Sequence, residues 1–354
     1  MTSWHLGAVR LPDGDAPEDS WLTDEIWGDE PIDGAEDIPG RFALTGLVDA
    51  HSHVSFGERD GGPIPLDRAA AEAALERLAA DGVGVVRDAG GDPGVVLTLP
   101  TVPGRPFLVA AGRHLAPAGM YFEAVHQPVA PADLVEVALG ELAAGAQWVK
   151  LVADFTPSRA RGASSLEPPE QTYDLGLVGD LVTETHRSGG RVAAHVTTTL
   201  VADLVRLGID SVEHGTGLDE ETIAEMARRG TAWTPTMGAV LSSPPDAPQE
   251  RRRLTAERRE RFRQLLPLAV RLGVPVLTGG DVVSTIPREV ALLVECGLDP
   301  TDALRAATTT ALAFLGGDVA LAPPSVVTYD ADPRNEPDVL ARPVAIVIGG
   351  VRVL

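Results

Sequence analysis

Thr45-Gly46-Leu47-Val48-Asp49-Ala50-His51-Ser52-His53 is an apolar strand that runs into two histidines. Alternate residues of a strand share a face, so both imidazoles can reach one ion. The same texture recurs down the chain: short apolar runs end in polar residues and give way to Ala- and Leu-rich helical stretches. The runs are 44–50, 84–87, 107–111, 148–152, 192–195, 211–213, 232–236 and 276–278, eight in all. Amphipathic stretches at 66–80, 132–144, 177–188, 222–229 and 250–272 lie between most of them, and a helix pair at 286–296 and 300–315 follows the last. Strands alternating with helices build a parallel sheet. Eight such units suit an α/β fold of the (β/α)8 TIM barrel type, which takes about 250 residues. The barrel is expected over residues 44–317, with a thin second unit because 92–106 offers little helix.

The two ends read differently. Residues 1–40 hold eleven acidic residues and one basic one, with several Gly and Pro. They suggest short strands and turns with a solvated acidic face. Residues 343–354 read as a hairpin turning at Gly349-Gly350. Segments 1–43 and 318–354 are therefore expected to pair into a small β-domain built from both chain termini.

The chain has 354 residues, of which 44% are hydrophobic and only 4% aromatic, so small aliphatics carry the packing. A formal charge of −22 argues against nucleic acid or an anionic membrane as partner, since both require basic surface. Cys296 stands alone, which excludes an intrachain disulfide. No run approaches the ~20 apolar residues of a membrane span, and no secretory signal pattern opens the chain. A cytoplasmic soluble protein acting on a small molecule is the expectation.

Lys150 is the only lysine; the other 28 basic residues are arginines. It lies in the apolar run Gln147-Trp148-Val149-Lys150-Leu151-Val152, where a surface charge is out of place. A guanidinium stays protonated, whereas a lysine amine can lose its proton and become a nucleophile or a ligand precursor. Other candidates for chemistry fall at the ends of other runs: His51 and His53 after the first, His195 at the fifth, His214 at the sixth and Asp281 after the eighth. The carboxyl ends of barrel strands are where such folds build their sites. Each residue alone is a weak signal. A histidine ending a strand is often a satisfied core residue, and an Asp after Gly-Gly is often a turn. Their conjunction around one sheet is specific.

The segment 45–53 resembles the opening signature of the amidohydrolase superfamily. Ser211-Val212-Glu213-His214-Gly215 and Ala306-Ala307-Thr308-Thr309-Thr310-Ala311-Leu312-Ala313-Phe314-Leu315-Gly316 are similar to its imidazolonepropionase-like and Xaa-Pro-dipeptidase-like branch. The likeness spans about residues 40–318. It implies a barrel beside a small β-sandwich, and metal-dependent hydrolysis of an amide, cyclic amide or dipeptide-like C–N bond by a metal-bound hydroxide. By the resemblance, His51 and His53 hold a first metal, and His195 and His214 a second. Lys150 reacts with CO2 to give a carbamate that bridges the two. Asp281 binds the first metal and accepts a proton from the attacking water. Lys150, His214 and Asp281 are the implied catalytic groups. Zinc suits a His-rich hydrolytic set, and Mn, Fe or Co tolerate the same ligands. Imidazolonepropionase is mononuclear in this pattern and lacks the bridging lysine, so Lys150 points to the binuclear, dipeptidase-like arrangement. The open alternatives are a mononuclear deaminase, a lactone or ester hydrolase on the same scaffold, and a non-catalytic barrel.

Two long loops leave the carboxyl face, 114–130 and 155–173. Long loops in compact domains often carry function. His114, Tyr121, His126, Arg159 and Arg161 are the candidate substrate contacts, the arginines for a carboxylate. The second loop begins Asp154-Phe155-Thr156-Pro157-Ser158-Arg159, which departs from the Gly/Ser-rich turn of the dipeptidase branch. Residues 251–263 carry seven arginines with glutamates interleaved. These read as a solvated helix face, or as a docking face for the acidic 1–40 segment, within one chain or between copies in a homo-oligomer.

Overall fold

The computed structural model describes residues 2–23, 26–59, 62–160, 167–243 and 246–354. Its centre is a set of parallel strands: β1 (Leu47–Ser52), β2 (Val83–Asp88), β3 (Phe107–Ala110), β4 (Trp148–Val152), β5 (Arg191–Val196), β6 (Ser211–His214) and β7 (Ala232–Thr234). β1, β2 and β3 form one ladder. β4 to β7 form another, extended by the short strand His114–Leu115, which sets His114 opposite Lys150. Gln147 N donates to Ala110 O between the end of β3 and the start of β4.

Alternation divides the side chains of these strands. Val48, Ala50, Val85, Val109, Trp148, Ala193, Ala232 and Leu277 pack together in one buried cluster. Leu47, Val86, Val149, Leu151, Val192 and Val212 join a second cluster with helix residues such as Leu75, Leu181, Leu204, Ile223 and Phe262. Strands covered in this way are apolar on both faces, which explains their near-continuous hydrophobic reading. The helices are punctuated as expected. Asp67, Asp174 and Asp219 cap the starts of Arg68–Ala80, Leu175–Arg187 and Glu220–Arg229. Left-handed Gly208, Gly230 and Gly273 close Val201–Leu207, Glu220–Arg229 and Gln249–Leu272.

Three expectations change in detail. The run 44–50 is two strands, because Gly46 breaks it: Phe42–Thr45 belongs to the sheet of the termini and Leu47–Ser52 to the parallel set. The run 276–278 forms no ladder among the described residues. It is joined by single bridges, Trp233 to Val276 and Ser52 to Asp281, with Ala50 N donating to Thr278 O and Asp281 N to His51 O. Pro275 has no N–H to offer there, and Gly279-Gly280 ends the run. The helix expected over 300–315 breaks into Pro300–Ala306 and Thr309–Leu315. The carbonyl of Ala307 turns out of the helix to accept from Val48 N of β1.

Strands from both termini form one eight-stranded sheet. Phe42–Thr45 is its link: it runs parallel to Trp4–Arg10 and antiparallel to Ser325–Tyr329. The C-terminal hairpin turns at Gly349-Gly350, with Ile348 opposite Val351. Asp13 and Asp15 of the acidic segment pair with Arg305 and Arg334. On the arginine-rich helix, Arg253 pairs with Glu250 and Glu257, Arg263 with Glu260, and Arg259 with Glu295. Among the described residues, no helix is long and apolar enough to cross a membrane.

The seam between the sheets is tight at Gly46. A methyl group there would overlap the Ser325 side chain and stand 2.9 Å from Cα of Gly84. Gly46→Ala is expected to lower stability by about 1–3 kcal/mol in denaturant unfolding. Ser325→Gly added to it should recover part of that loss, and a double variant no better than the single would place the strain elsewhere.

Candidate metal centre

The floor of the site is a buried charge network. Arg87 of β2 donates through Nη2 to Glu213 Oε1 of β6 at 2.7 Å and through Nε to Ala50 O at 2.6 Å. Ser211 Oγ donates to the same Glu213 oxygen at 2.5 Å. The other oxygen, Oε2, lies 2.5 Å from His51 Nδ1. Burial opposes charge on Glu213. The cations of Arg87 and Lys150 and the Ser211 hydrogen bond outweigh it, and the carboxyl stays below its ordinary range. An ionised Glu213 only accepts, so His51 donates from Nδ1 and keeps its Nε2 lone pair free.

Two further histidines are held the same way. His53 Nδ1 is 2.7 Å from Gly90 O, which can only accept. His214 Nδ1 is 2.6 Å from Thr236 Oγ1, whose own proton goes to Pro235 O at 2.9 Å. Each ring therefore spends Nδ1–H on the protein and leaves Nε2 available. Burial is the main cause that pushes all four site imidazoles down, with the Lys150 cation adding to it: His53 and His214 to about 3, His51 and His195 well below their usual value. They are neutral at neutral pH, the form that binds metals.

Side chains from far apart in sequence meet here. His51, His214 and Asp281 each offer a ligand atom, all within 4.8 Å of one another. His53 Nε2 is 3.5 Å from Asp281 Oδ1, and the rings of His195 and His214 are 4.4 Å apart. Lys150 is buried beneath them, and its Nζ has no hydrogen-bond partner among the described residues. Desolvation lowers its amine to about 8, with Arg87 adding to the effect, and raises the Asp281 carboxyl to about 6. A dry amine without a partner, beside three convergent ligand atoms and oriented imidazoles, fits a divalent metal centre. His214, Thr236 and Asp281 are the only non-glycine residues of the described chain with positive φ, at 67°, 44° and 55°. Such backbone costs about 1–3 kcal/mol per residue and clusters at functional sites.

All six candidate ligands line one cavity of about 640 Å³. Tyr121 and Arg159 line it too, and the Arg159 guanidinium lies over the rings of Phe122 and Phe155. His114 is not on its wall. It is buried, stacked on Tyr121 at 4.4 Å and 5.3 Å from the His53 ring. His126 turns away, with Nε2 2.9 Å from Ala116 O. Arg161 lies outside the described residues. Sequence reading missed Arg87, Glu213 and Thr236 as supports of the site. The signal for the first two was a charged residue inside an apolar strand.

The amidohydrolase family model matches residues 42–319. The chain belongs to the amidohydrolase family. An uncharacterized protein of Mycobacterium tuberculosis is 34% identical to it over 361 residues, covering 98% of this chain and 94% of the relative. Among solved structures, an amidohydrolase superposes with a TM-score of 0.80 at 23% identity, covering 99% of this chain and 98% of the other. A Xaa-Pro dipeptidase with bound methionine superposes with a TM-score of 0.77 at 20% identity, covering 99% of both chains. These likenesses give this amidohydrolase a TIM-barrel-like α/β fold. The family makes it a hydrolase; its members generally use metal ions, and His51, His214 and Asp281 form a group able to hold one.

Two outcomes follow from the floor. Glu213→Gln leaves Arg87 unpaired, so the metal-free protein should lose about 3–5 kcal/mol of stability. Its metal retention against a chelator should fall roughly 10–100-fold; unchanged retention would remove Glu213 from the support of the centre. The single lysine also permits a direct titration. In metal-free protein grown on isotope-labelled lysine, the one side-chain resonance should titrate near pH 8. A depressed lysine pKa contributes stability above the unfolded value of about 10.4, lost as pH falls through about 8. A midpoint above 10 would show that the amine is solvated.

Proposed function

We propose that this amidohydrolase cleaves a C–N bond, in an amide, cyclic amide or dipeptide-like small molecule, at a centre of two divalent ions bridged by a carbamate on Lys150. The observation that carries the reading is the partnerless buried Nζ of Lys150 in the same cavity as the convergent ligand atoms of His51, His214 and Asp281. A neutral amine attacks CO2, releases a proton and becomes an anion that two cations can share. An arginine cannot do this, and a chain that otherwise spells its cations as arginine has kept its one lysine here.

In this reading His51, His53 and Asp281 would hold one ion, His195 and His214 the other, and the carbamate of Lys150 would serve both. Zinc is the first candidate, with Mn, Fe or Co as substitutes. When bound, the ions polarise the scissile carbonyl and acidify a water. The protein supplies the rest. Glu213, Gly90 and Thr236 fix the imidazoles through Nδ1. The carboxylate of Asp281 takes the proton of the attacking water and hands it to the leaving nitrogen. Tyr121, Phe122 and Phe155 wall off bulk water on one side. We further read the bridges at Val276 and Asp281 as the closure of a (β/α)8 barrel that begins at Leu47 rather than at 44 and runs to 317, with the segments before it and 318–354 as a small β-sandwich domain.

A second reading has one specific support. His51, His214 and Asp281 converge as a single three-ligand group, which suits one ion and a deaminase or a lactone or ester hydrolase. Lys150→Arg separates the two. The binuclear reading expects metal content to fall from two ions per chain to at most one, bicarbonate to stop affecting loading, and kcat/KM to drop roughly a thousandfold. Unchanged metal content and turnover, across dipeptides, N-acyl amino acids, cyclic amides and lactones, would leave the mononuclear reading.

A further inference from the structure

His195 is held differently from the other site imidazoles. His51, His53 and His214 each spend Nδ1–H on a protein acceptor. The His195 ring makes no hydrogen bond among the described residues. Its neighbours are the rings of His214, Phe155 and Tyr121, centred 4.4, 6.0 and 6.4 Å away. Its aim therefore depends on the backbone that carries it, and that backbone is pinned just past the ring.

Asp154 is the pin. It is 1% exposed and stands two residues beyond the end of β4, whose last residue, Val152, lies opposite His195 in the ladder with β5. Oδ1 accepts from Thr197 N and Thr197 Oγ1, both at 2.9 Å. Oδ2 accepts from Thr198 N at 2.9 Å and Thr198 Oγ1 at 2.7 Å. Thr197 is two residues past His195. A carboxylate has about four acceptor positions on its two oxygens, and one turn fills them all. Burying a carboxylate is costly unless its oxygens are satisfied. A neutral amide has only one oxygen and would turn N–H groups toward the remaining donors, so this geometry calls for Asp.

The pin extends to β6. Thr216, two residues past His214, donates from Oγ1 to Thr197 O at 2.7 Å. Arg261 Nη1 donates to Thr216 O at 2.9 Å from the helix Gln249–Leu272. A methyl group on Gly217 would overlap Thr198 O, so the exits of β5 and β6 lie against each other. Thr197 and Thr216 line the cavity with His195 and His214, whereas Asp154 does not. It acts through the two threonines.

We propose that Asp154 is a positioning residue for His195 and His214, setting their spacing through Thr197, Thr198 and Thr216. This rests on the metal-hydrolase reading, but zinc binding by the full chain tests it without turnover. Competition with chelators would resolve the two binding steps. Asp154→Asn should weaken one step about 10–100-fold and leave the other within about twofold. Glu213→Gln, which frees His51, should weaken the opposite step. Thr197→Val and Thr198→Val delete the hydroxyl donors and should each reproduce part of the loss, also should Asp154→Asn not fold; Thr197→Ser and Thr198→Ser should restore binding. Asp299→Ala removes a carboxylate cap from Pro300–Ala306 and should leave both steps intact. Both steps weakened alike by Asp154→Asn or the valine variants, or neither weakened, overturns the proposal. A parent chain that takes one zinc only sinks the binuclear reading. The proposal is then decided on that single step, which Asp154→Asn must weaken and Asp299→Ala must not. A protein that keeps both ions and cleaves nothing counts against the hydrolase reading alone.

Discussion

The Arg87–Glu213 ion pair is the contact on which the centre depends. Four imidazoles, a lysine and an aspartate cannot be packed into a dry pocket unless something fixes their protonation and direction. Glu213 fixes His51 by taking its Nδ1 proton, and Arg87 is what allows Glu213 to remain ionised there. Arg87 is anchored in turn. Its guanidinium lies 4.5 Å from the ring of Trp148, and Arg191 covers the same ring at 4.1 Å. Asp318 joins Trp148 Nε1 at 2.8 Å and pairs with Arg191. A column of charge and aromatic surface thus runs from the candidate ligand His51 through the strands to the 316–319 turn. A buried ion pair is a poor source of net stability, because desolvation offsets the attraction. Its use here is orientation.

Strain is placed where that orientation is needed. His214 and Asp281 leave their runs in left-handed backbone, as does Thr236, the residue that holds His214. The neighbouring backbone is crowded as well. A side chain on Gly279 would strike Cβ of His51, and one on Gly280 would strike Ser284 O. Glycine at 279 and 280 lets the 276–281 segment approach β1 closely enough for Asp281 N to reach His51 O at 2.7 Å. The close approach of the 276–281 segment to β1 and the convergence of Asp281 on the histidines therefore have one cause.

This division explains what could be read from the residues. The alternation of strands and helices was legible because burial on both faces forces long apolar runs, and the gathering of His51, His53, Lys150, His195, His214 and Asp281 on one cavity because period-two spacing and strand ends locate side chains. The break at Gly46 was legible only in part: the texture changes after it, but 44–50 reads as one strand, and only the packing of Ser325 against Gly46 and Gly84 decides which half joins which sheet. Arg87 and Glu213 were missed because a charge within a strand carries no sign of its partner, here 126 residues away. His126 misled for the opposite reason. A histidine in a long loop resembles a contact residue, yet a backbone carbonyl ten residues earlier holds it.

The choice between lysine and arginine follows the same logic through the cavity. At the floor the residue is lysine, whose amine can lose its proton, and burial with the Arg87 cation beside it drives that amine toward the uncharged form. At the mouth the charge must persist despite neighbours of the same sign. Burial and the cation of Arg251 lower Arg159, and burial with the cations of Arg159 and Arg251 lowers Arg258, yet a guanidinium keeps its proton at neutral pH. With arginine everywhere else, the one lysine amine of the chain lies in the cavity shared by His51, His53, His195, His214 and Asp281.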